Sequence, residues 1–311
     1  MEFDFNEGVY EGLSTSGTEE YADYVGYSSV AADMWQLPES ELLLGLGGEY
    51  APVTVDLASD TPHVLVSAGS GAGKSVIARS LATQALLKGF QVVILDTKQI
   101  SHMWAEGLPG VHVARTAAEV GNAITSLGME VHRRMRSIRN SPFGMQEDVG
   151  PRVLVIYEEM NSTVDMLKEL DKSLPPRGVY KSQQAFGDIM NLGRAAKMHV
   201  VGFAQYADAH TVPTRWRESF GYRILIRWSS NQWNMLAWQV GYCPPASRHP
   251  GRGVVVVGDR ALGTQFLYLE EEHCAALVRE HRQEASAPSR RERRRMARES
   301  QAALTQATGL E

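Results

Sequence analysis

The first 73 residues contain no lysine or arginine, but thirteen aspartates and glutamates, a formal charge of -13. All 31 basic residues fall in the remaining 238 residues, against 23 acidic ones, a balance of +8. The overall charge of -5 therefore hides a basic body behind an acidic leader, and a nucleic-acid partner is not excluded. Cysteine is nearly absent: Cys243 and Cys274 are the only two. That excludes a disulfide scaffold or a Cys-rich zinc site and makes a reducing compartment the default. No apolar run approaches the roughly 18–20 residues that span a bilayer. No secretory leader is visible either. These absences predict a soluble, cytoplasmic chain, whose only route to a membrane would be through a partner. The remaining composition, 43% hydrophobic over 311 residues, is ordinary for a globular protein with a sizeable core.

Three regions are expected. Residues 1–36 are acidic, rich in Gly, Ser and Tyr, and without periodicity; they read as an arm that is disordered or docked on another surface. Such an arm could shield the basic body. Residues 37–285 form the main domain. Residues 286–311 are an arginine-rich tail, with Arg290, Arg291, Arg293, Arg294, Arg295 and Arg298 inside nine residues. It reads as a solvated helix or a contact for phosphate backbone.

Within the main domain, short apolar runs at 63–67, 91–95, 153–157, 199–204 and 222–227 suit strands buried on both faces of a mostly parallel sheet. Helical patterns lie between them at about 74–88, 117–139, 159–172 and 183–197. This alternation predicts an α/β fold with helices on both faces. A β-hairpin at 253–257 and 264–269, turning at Gly258-Asp259, and a helix from Glu270 close it.

The first of these strands runs into Ala68-Gly69-Ser70-Gly71-Ala72-Gly73-Lys74-Ser75, and a helix follows at once. This is the Walker A, or P-loop, pattern with Ala68 in place of the usual first glycine. Glycines let the backbone aim N–H groups at phosphate oxygens, and the helix N-terminus adds donors and a positive dipole end. Lys74 is expected to reach the β/γ-phosphates of ATP, and the Ser75 hydroxyl to ligate Mg²⁺. The third strand ends in Glu158-Glu159. Glu158 is assigned to the Mg²⁺ shell and Glu159 to positioning or deprotonating the attacking water. Capping of the next helix is the structural alternative for both. If the 199–204 strand inserts between these two, Gln205 at its end emerges beside the γ-phosphate. Asp96 either assists the same site or caps a turn. No Asn-Lys-x-Asp segment occurs, which argues against a GTPase.

Several ordered segments together resemble the motor domain of the FtsK/SpoIIIE DNA translocases. They are Leu44-Gly45-Leu46-Gly47, Val55-Asp56-Leu57, Pro62 to Val66, Leu95-Asp96-Thr97-Lys98, Met129-Glu130 with Arg133-Arg134, and Gly193 to Val201 leading into Ala204-Gln205. The resemblance spans roughly residues 43–270, and the compact form is most similar to translocases of actinobacterial plasmids, integrative elements and phages. It implies a RecA-like, ASCE-type P-loop ATPase working as a ring, a hexamer, that pumps double-stranded DNA through its channel. It also implies an arginine supplied in trans, with Arg194 the first candidate and Arg223 the second. Ser229-Ser230-Asn231-Gln232-Trp233-Asn234-Met235 departs from the family's pattern, keeping its serines but not its Lys, Asp and Arg. Lys172, Arg177 and Lys181, around Pro175-Pro176, form a basic loop that could touch DNA. Two other readings compete: a conjugative or packaging ATPase acting on single strands, and a DNA adaptor that binds ATP without efficient hydrolysis.

Overall fold

The computed structural model describes residues 10–11, 20–69, 71–207 and 212–286. Among the described residues, twelve strands form one sheet: β1 (Tyr10–Glu11), β2 (Val25–Gly26), β3 (Glu41–Leu46), β4 (Pro52–Asp56), β5 (Val64–Ala68), β6 (Gln91–Leu95), β7 (Val111–Ala114), β8 (Val153–Tyr157), β9 (Met198–Ala204), β10 (Tyr222–Ile226), β11 (Arg252–Val257) and β12 (Arg260–Tyr268). The helices are α1 (Tyr27–Gln36), α2 (Lys74–Leu87), α3 (Ala117–Asn140), α4 (Met160–Ser173), α5 (Ser182–Leu192), α6 (Thr214–Arg217), α7 (Ser230–Leu236) and α8 (Glu271–Ser286).

The strand order is β4-β3-β12-β11-β10-β5-β9-β8-β6-β7, with β1 and β2 also pairing β12. From β10 to β7 every pairing is parallel. From β10 to β4 every pairing is antiparallel. β9 inserts between β5 and β8, the arrangement on which Gln205's position depends. The predicted hairpin is β11–β12. β3, β4 and β7 are additional, and the helix expected to reach residue 197 ends at Leu192.

The apolar runs of the central strands work as expected because alternate residues enter different cores. Val64 and Val66 of β5 face one core with α1, α2 and α8; Leu65 faces the other with α3, α4, α5 and α7. Helix α2 is enclosed nearly all round. Even its Gln84 is fully buried, and its amide bonds both the N–H and the C=O of Leu43 at 2.8 Å. A side chain thus completes part of β3's ladder, where an unpaired buried backbone group would be costly.

The boundary expected at residue 36 does not separate arm from body. Val25 pairs Leu267 and Gly26 pairs Tyr268, while Val30 and Met34 of α1 are buried in the α2 core. This stretch docks on its own chain because helix periodicity gives it an apolar stripe, which its acidic composition masks. The rest of the acidic arm, residues 1–9 and 12–19, and the arginine-rich stretch from residue 287 lie outside the described residues.

The segments behind the family resemblance have visible structural work. Glu130 accepts from both Arg133 and Arg134, bonds that hold its carboxyl down at about 2. Buried Arg134 also donates to the carbonyls of Pro151 (2.8 Å) and Ala196 (3.0 Å), tying α3 to the entrances of β8 and β9. A Cβ on Gly193 would fall 2.3 Å from the Met198 carbonyl oxygen, so only glycine allows that close turn into β9.

Candidate nucleotide site

The site lies where β5, β9 and β8 end side by side. Such crevices beyond the carboxyl ends of parallel strands are the usual ligand position in α/β sheets. β5 ends at Ala68, and the loop turns through Gly71 (φ 71°) and Gly73 (φ 102°) into α2. Those left-handed angles cost little only for glycine, and a Cβ at residues 69, 71 or 73 would meet open space. Gly71 and Gly73 are therefore needed for backbone conformation, and no neighbour crowds any of the three positions. Ser70 lies outside the described residues.

Lys74 folds back into this loop, its Nζ donating to the carbonyls of Ala68 (2.7 Å) and Gly69 (3.0 Å). Burial lowers its pKa, against the opposing pull of Glu159. Ala68 fills its position as a fully buried strand residue whose carbonyl anchors the lysine.

Across from it, Ser75 Oγ donates to Glu158 Oε1 at 3.0 Å. The other oxygen of Glu158 is 2.9 Å from Nε2 of His102, and both side chains are nearly fully buried. His102 Nδ1 has no partner among the described residues. Glu159 turns towards different neighbours. Lys98 Nζ is 2.7 Å from its Oε2, and Gln205 Nε2 donates to the same oxygen at 3.3 Å. Glu159 begins α4, yet its side chain makes no capping bond, so the capping alternative does not describe this carboxylate. Gln205 is held by its backbone: its N–H donates to Asn161 Oδ1 (2.9 Å) and its C=O accepts from Gln232 Nε2 (3.2 Å).

The sequence-predicted residues Lys74, Ser75, Glu158, Glu159 and Gln205 therefore converge, and Gly69, Gly71, Ala72 and Gly73 form the loop before them. Asp96 is close by but engaged. Its carboxylate accepts from the N–H groups of Gln99 and Ser101 and from Arg115, which is the turn-capping role. Arg194 is elsewhere. It precedes β9, at the opposite edge of the sheet from Gln205, and pairs with Asp60 at 2.7 Å with both side chains exposed. Arg223 lies inward on β10, bonded to Leu236 O and Gln239, with its pKa lowered by burial. In the basic loop, Lys172 pairs Glu169 and Lys181 donates to Asp171 O.

Sequence reasoning missed three contributors. His102 carries no motif and is found only because the loop after β6 folds over Glu158. Lys98 belonged to a quoted segment but had no role until its contact with Glu159 appeared. Gln232 lies in the segment that departs from the family pattern. There Ser229 and Gln232 form a capping box for α7, and Gln232 also braces the Gln205 carbonyl.

Among the described residues, no helix is long and apolar enough to cross a membrane. Residues 41–132, which contain the phosphate loop, match the family described as "Helicase HerA, central domain" (DUF87). No curated protein matches the sequence. Among solved structures, the conjugation coupling protein TcpA of pCW3, in monomer form with ATPγS, aligns with TM-score 0.66 and 18% identity over 85% of this chain and 75% of that one. The cytoplasmic domain of the type VII secretion ATPase EccC of Thermomonospora curvata aligns with TM-score 0.59 and 17% identity, covering 80% of this chain but only 32% of that one. The cytoplasmic domain of EssC aligns equally well (TM-score 0.59, 17% identity, 79% and 46%). At such identities the shared property is the fold: a mostly parallel α/β sheet of the P-loop ATPase kind, with a HerA-type segment around the phosphate loop.

Proposed function

We propose that this chain is an ATP-hydrolysing motor that translocates double-stranded DNA in the transfer or segregation of a mobile element, acting as a hexameric ring. The observation that carries the reading is the convergence of two separate polar pairs, Ser75–Glu158 and Gln205–Glu159, beyond the ends of three adjacent parallel strands. A phosphate loop alone needs neither pair. A site that must hold a metal at one point and a water at another needs both.

In this reading the loop N–H groups and the start of α2 bind the phosphates, and Lys74 swings from its two carbonyls onto the β/γ-phosphates. Glu159 takes the proton of the attacking water, and Gln205 orients that water against the γ-phosphate. Lys98 keeps Glu159 aimed until substrate arrives. Mg²⁺ fits the donor set: the Ser75 hydroxyl and a Glu158 oxygen already point at one another. Among the described residues no cluster of three or more His, Cys, Asp or Glu side chains competes as an all-protein cage. Ser75 and Glu158 would hold Mg²⁺, which when bound would supply positive charge to offset that developing on the phosphates. His102 holds the carboxylate of Glu158 facing Ser75.

Double-stranded DNA as substrate is supported by the resemblance of the 193–205 segment to the FtsK/SpoIIIE motors and by the basic balance of residues 74–311. The name of TcpA, a conjugation coupling protein, supports the transfer part of the reading and does not choose between duplex and single strands. Grip directed at phosphates would be strongly salt-dependent.

The test is ATP turnover by the purified protein without DNA, with double-stranded DNA and with single-stranded DNA. Turnover is expected to rise with the duplex. Glu159→Gln should then cut it by about 100-fold or more, the scale of a lost general base. Stimulation by single strands alone would transfer the reading to a single-strand ATPase. ATP binding without turnover under any condition would leave an adaptor.

A further inference from the structure

A cavity of about 430 Å³ opens directly beside the phosphate loop, within the size range of small-ligand pockets. One wall is Gly71, Ala72 and Gly73 together with Val76 and Ile77 of α2. The second is Ile226 and Arg227 at the end of β10. Because Ile226 pairs Ala68 in register, Arg227 lies next to Gly69, at the mouth of the phosphate site. Arg227 sits at φ 53°, a strained angle for a residue with a side chain, of the kind found at ligand clamps. The outer wall comes from the acidic N-terminal region, where Asp23 and Tyr24 line the cavity together with Phe266 and Tyr268.

This outer wall is a strap held in place at several points. Glu49 N–H donates to the Glu20 carbonyl, Arg252 donates to the Ala22 carbonyl at 2.9 Å and stacks over the Tyr21 ring, and Val25 pairs into β12. Between these ties Tyr24 remains 62% exposed, its ring 5.7 Å from that of Tyr268, itself 36% exposed. Core packing explains Val25. It does not explain why the Tyr24 ring, packed against Tyr268 on one side, is otherwise left exposed at a cavity continuous with a phosphate loop.

We infer that this cavity takes the nucleoside of the nucleotide bound at the P-loop, with the 20–26 strap as its outer wall and Tyr24 as a stacking face for the base. The inference rests on the ATP-binding part of the reading above. It extends that reading by giving the acidic N-terminal region a place in the site: a base packed on Tyr24 adds a further tie to residues 20–26, so nucleotide occupancy and the stability of the strap are coupled. A triphosphate without a base would reach only the loop and leave the strap unaffected.

Calorimetry on the full chain with Mg²⁺ separates the two halves of the ligand, using ATPγS and inorganic tripolyphosphate as probes. Tyr24→Ala is expected to weaken ATPγS about tenfold, the low end for loss of one aromatic stacking face, and to leave tripolyphosphate unchanged. Tyr24→Phe should restore wild-type affinity, and Lys74→Ala should weaken both probes. Equal losses for both probes in Tyr24→Ala, or no loss for ATPγS, would overturn the inference while leaving the ATP-binding reading intact. Failure of the wild-type chain to bind either probe would overturn both. Hydrogen exchange on the wild-type chain covers the case of a variant that does not fold: residues 20–26 should be slowed by ATPγS and not by tripolyphosphate. Identical protection by both, or by neither, refutes the strap.

Discussion

Glu158 and Glu159 are adjacent in sequence yet face different partners, and that separation is a property of single residues. Where β8 gives way to α4 the backbone changes direction, so one carboxylate points to Ser75 and His102 and its neighbour to Lys98 and Gln205. His102 is the residue whose contribution is easiest to isolate, because among the described residues its side chain hydrogen-bonds Glu158 alone, through Nε2. In the proposed site its role would be to position Glu158. His102→Leu should raise the Mg²⁺ concentration needed for half-maximal ATPase activity by about tenfold, the scale reported for outer-shell partners of metal-binding side chains. A Mg²⁺ titration of turnover, alongside nucleotide affinity measured without the metal, reads this. An effect of equal size without Mg²⁺ would mark His102 as a packing residue only.

At the level of elements, the site's geometry depends on how β9 is pinned between β5 and β8. His63, just before β5, is the fastener: its Nδ1 accepts from Val200 N–H of β9 at 3.0 Å and its Nε2 donates to Met190 O of α5 at 3.1 Å. This pattern requires the neutral ring, and burial drives its pKa down to about 4. Buried His199, in β9, is lowered too, first by burial and then by His63 and nearby arginines. Because the folded chain resists protonation at His63, the unfolded chain takes up the proton first as pH falls. The stabilisation is complete above about pH 6.5, declines as pH drops towards 4, and amounts to on the order of 3 kcal/mol across that window. Urea unfolding at pH 7.5 and pH 5 should show a lower midpoint at the acidic pH. His63→Gln should be less stable at pH 7.5 and show a shallower pH dependence. An unchanged midpoint in the wild-type chain would contradict this.

For the whole molecule, the two edges of the sheet carry different chemistry. The carboxyl ends hold the phosphate loop, Glu158, Glu159 and Gln205; the amino end of β9 carries Arg194. An exposed ion pair such as Arg194–Asp60 contributes little, about 0–1 kcal/mol, so the arginine is readily drawn to a stronger anion. In a head-to-tail ring that anion would be a neighbour's nucleotide, since heterologous contacts close into rings when the rotation permits. Electron microscopy with duplex DNA and ATPγS should show closed rings. Arg194→Ala should keep the rings and nucleotide affinity while reducing turnover by about 1000-fold, the scale of trans-acting arginines. Normal turnover in that variant would move the role to another residue, and monomers alone would remove the trans site altogether.

How much was legible in the sequence follows from the range of the forces involved. The buried strand runs, the glycine-lysine-serine loop and the acidic strand end are local patterns, set by burial period and by backbone angles that only glycine takes easily. They specified the α/β fold, the phosphate loop and the residues Lys74, Ser75, Glu158, Glu159 and Gln205. His102 on Glu158, Gln232 behind Gln205, Lys98 on Glu159 and Tyr24 across from Tyr268 join residues up to 244 positions apart in the chain. No period or spacing encodes such pairs; they exist because strand order and crossover loops bring them together. The acidic leader shows the same division. Its charge is plain in the composition, but that residues 20–36 belong to the body was decided by β2 pairing with β12 and by Val30 and Met34 finding a core to enter.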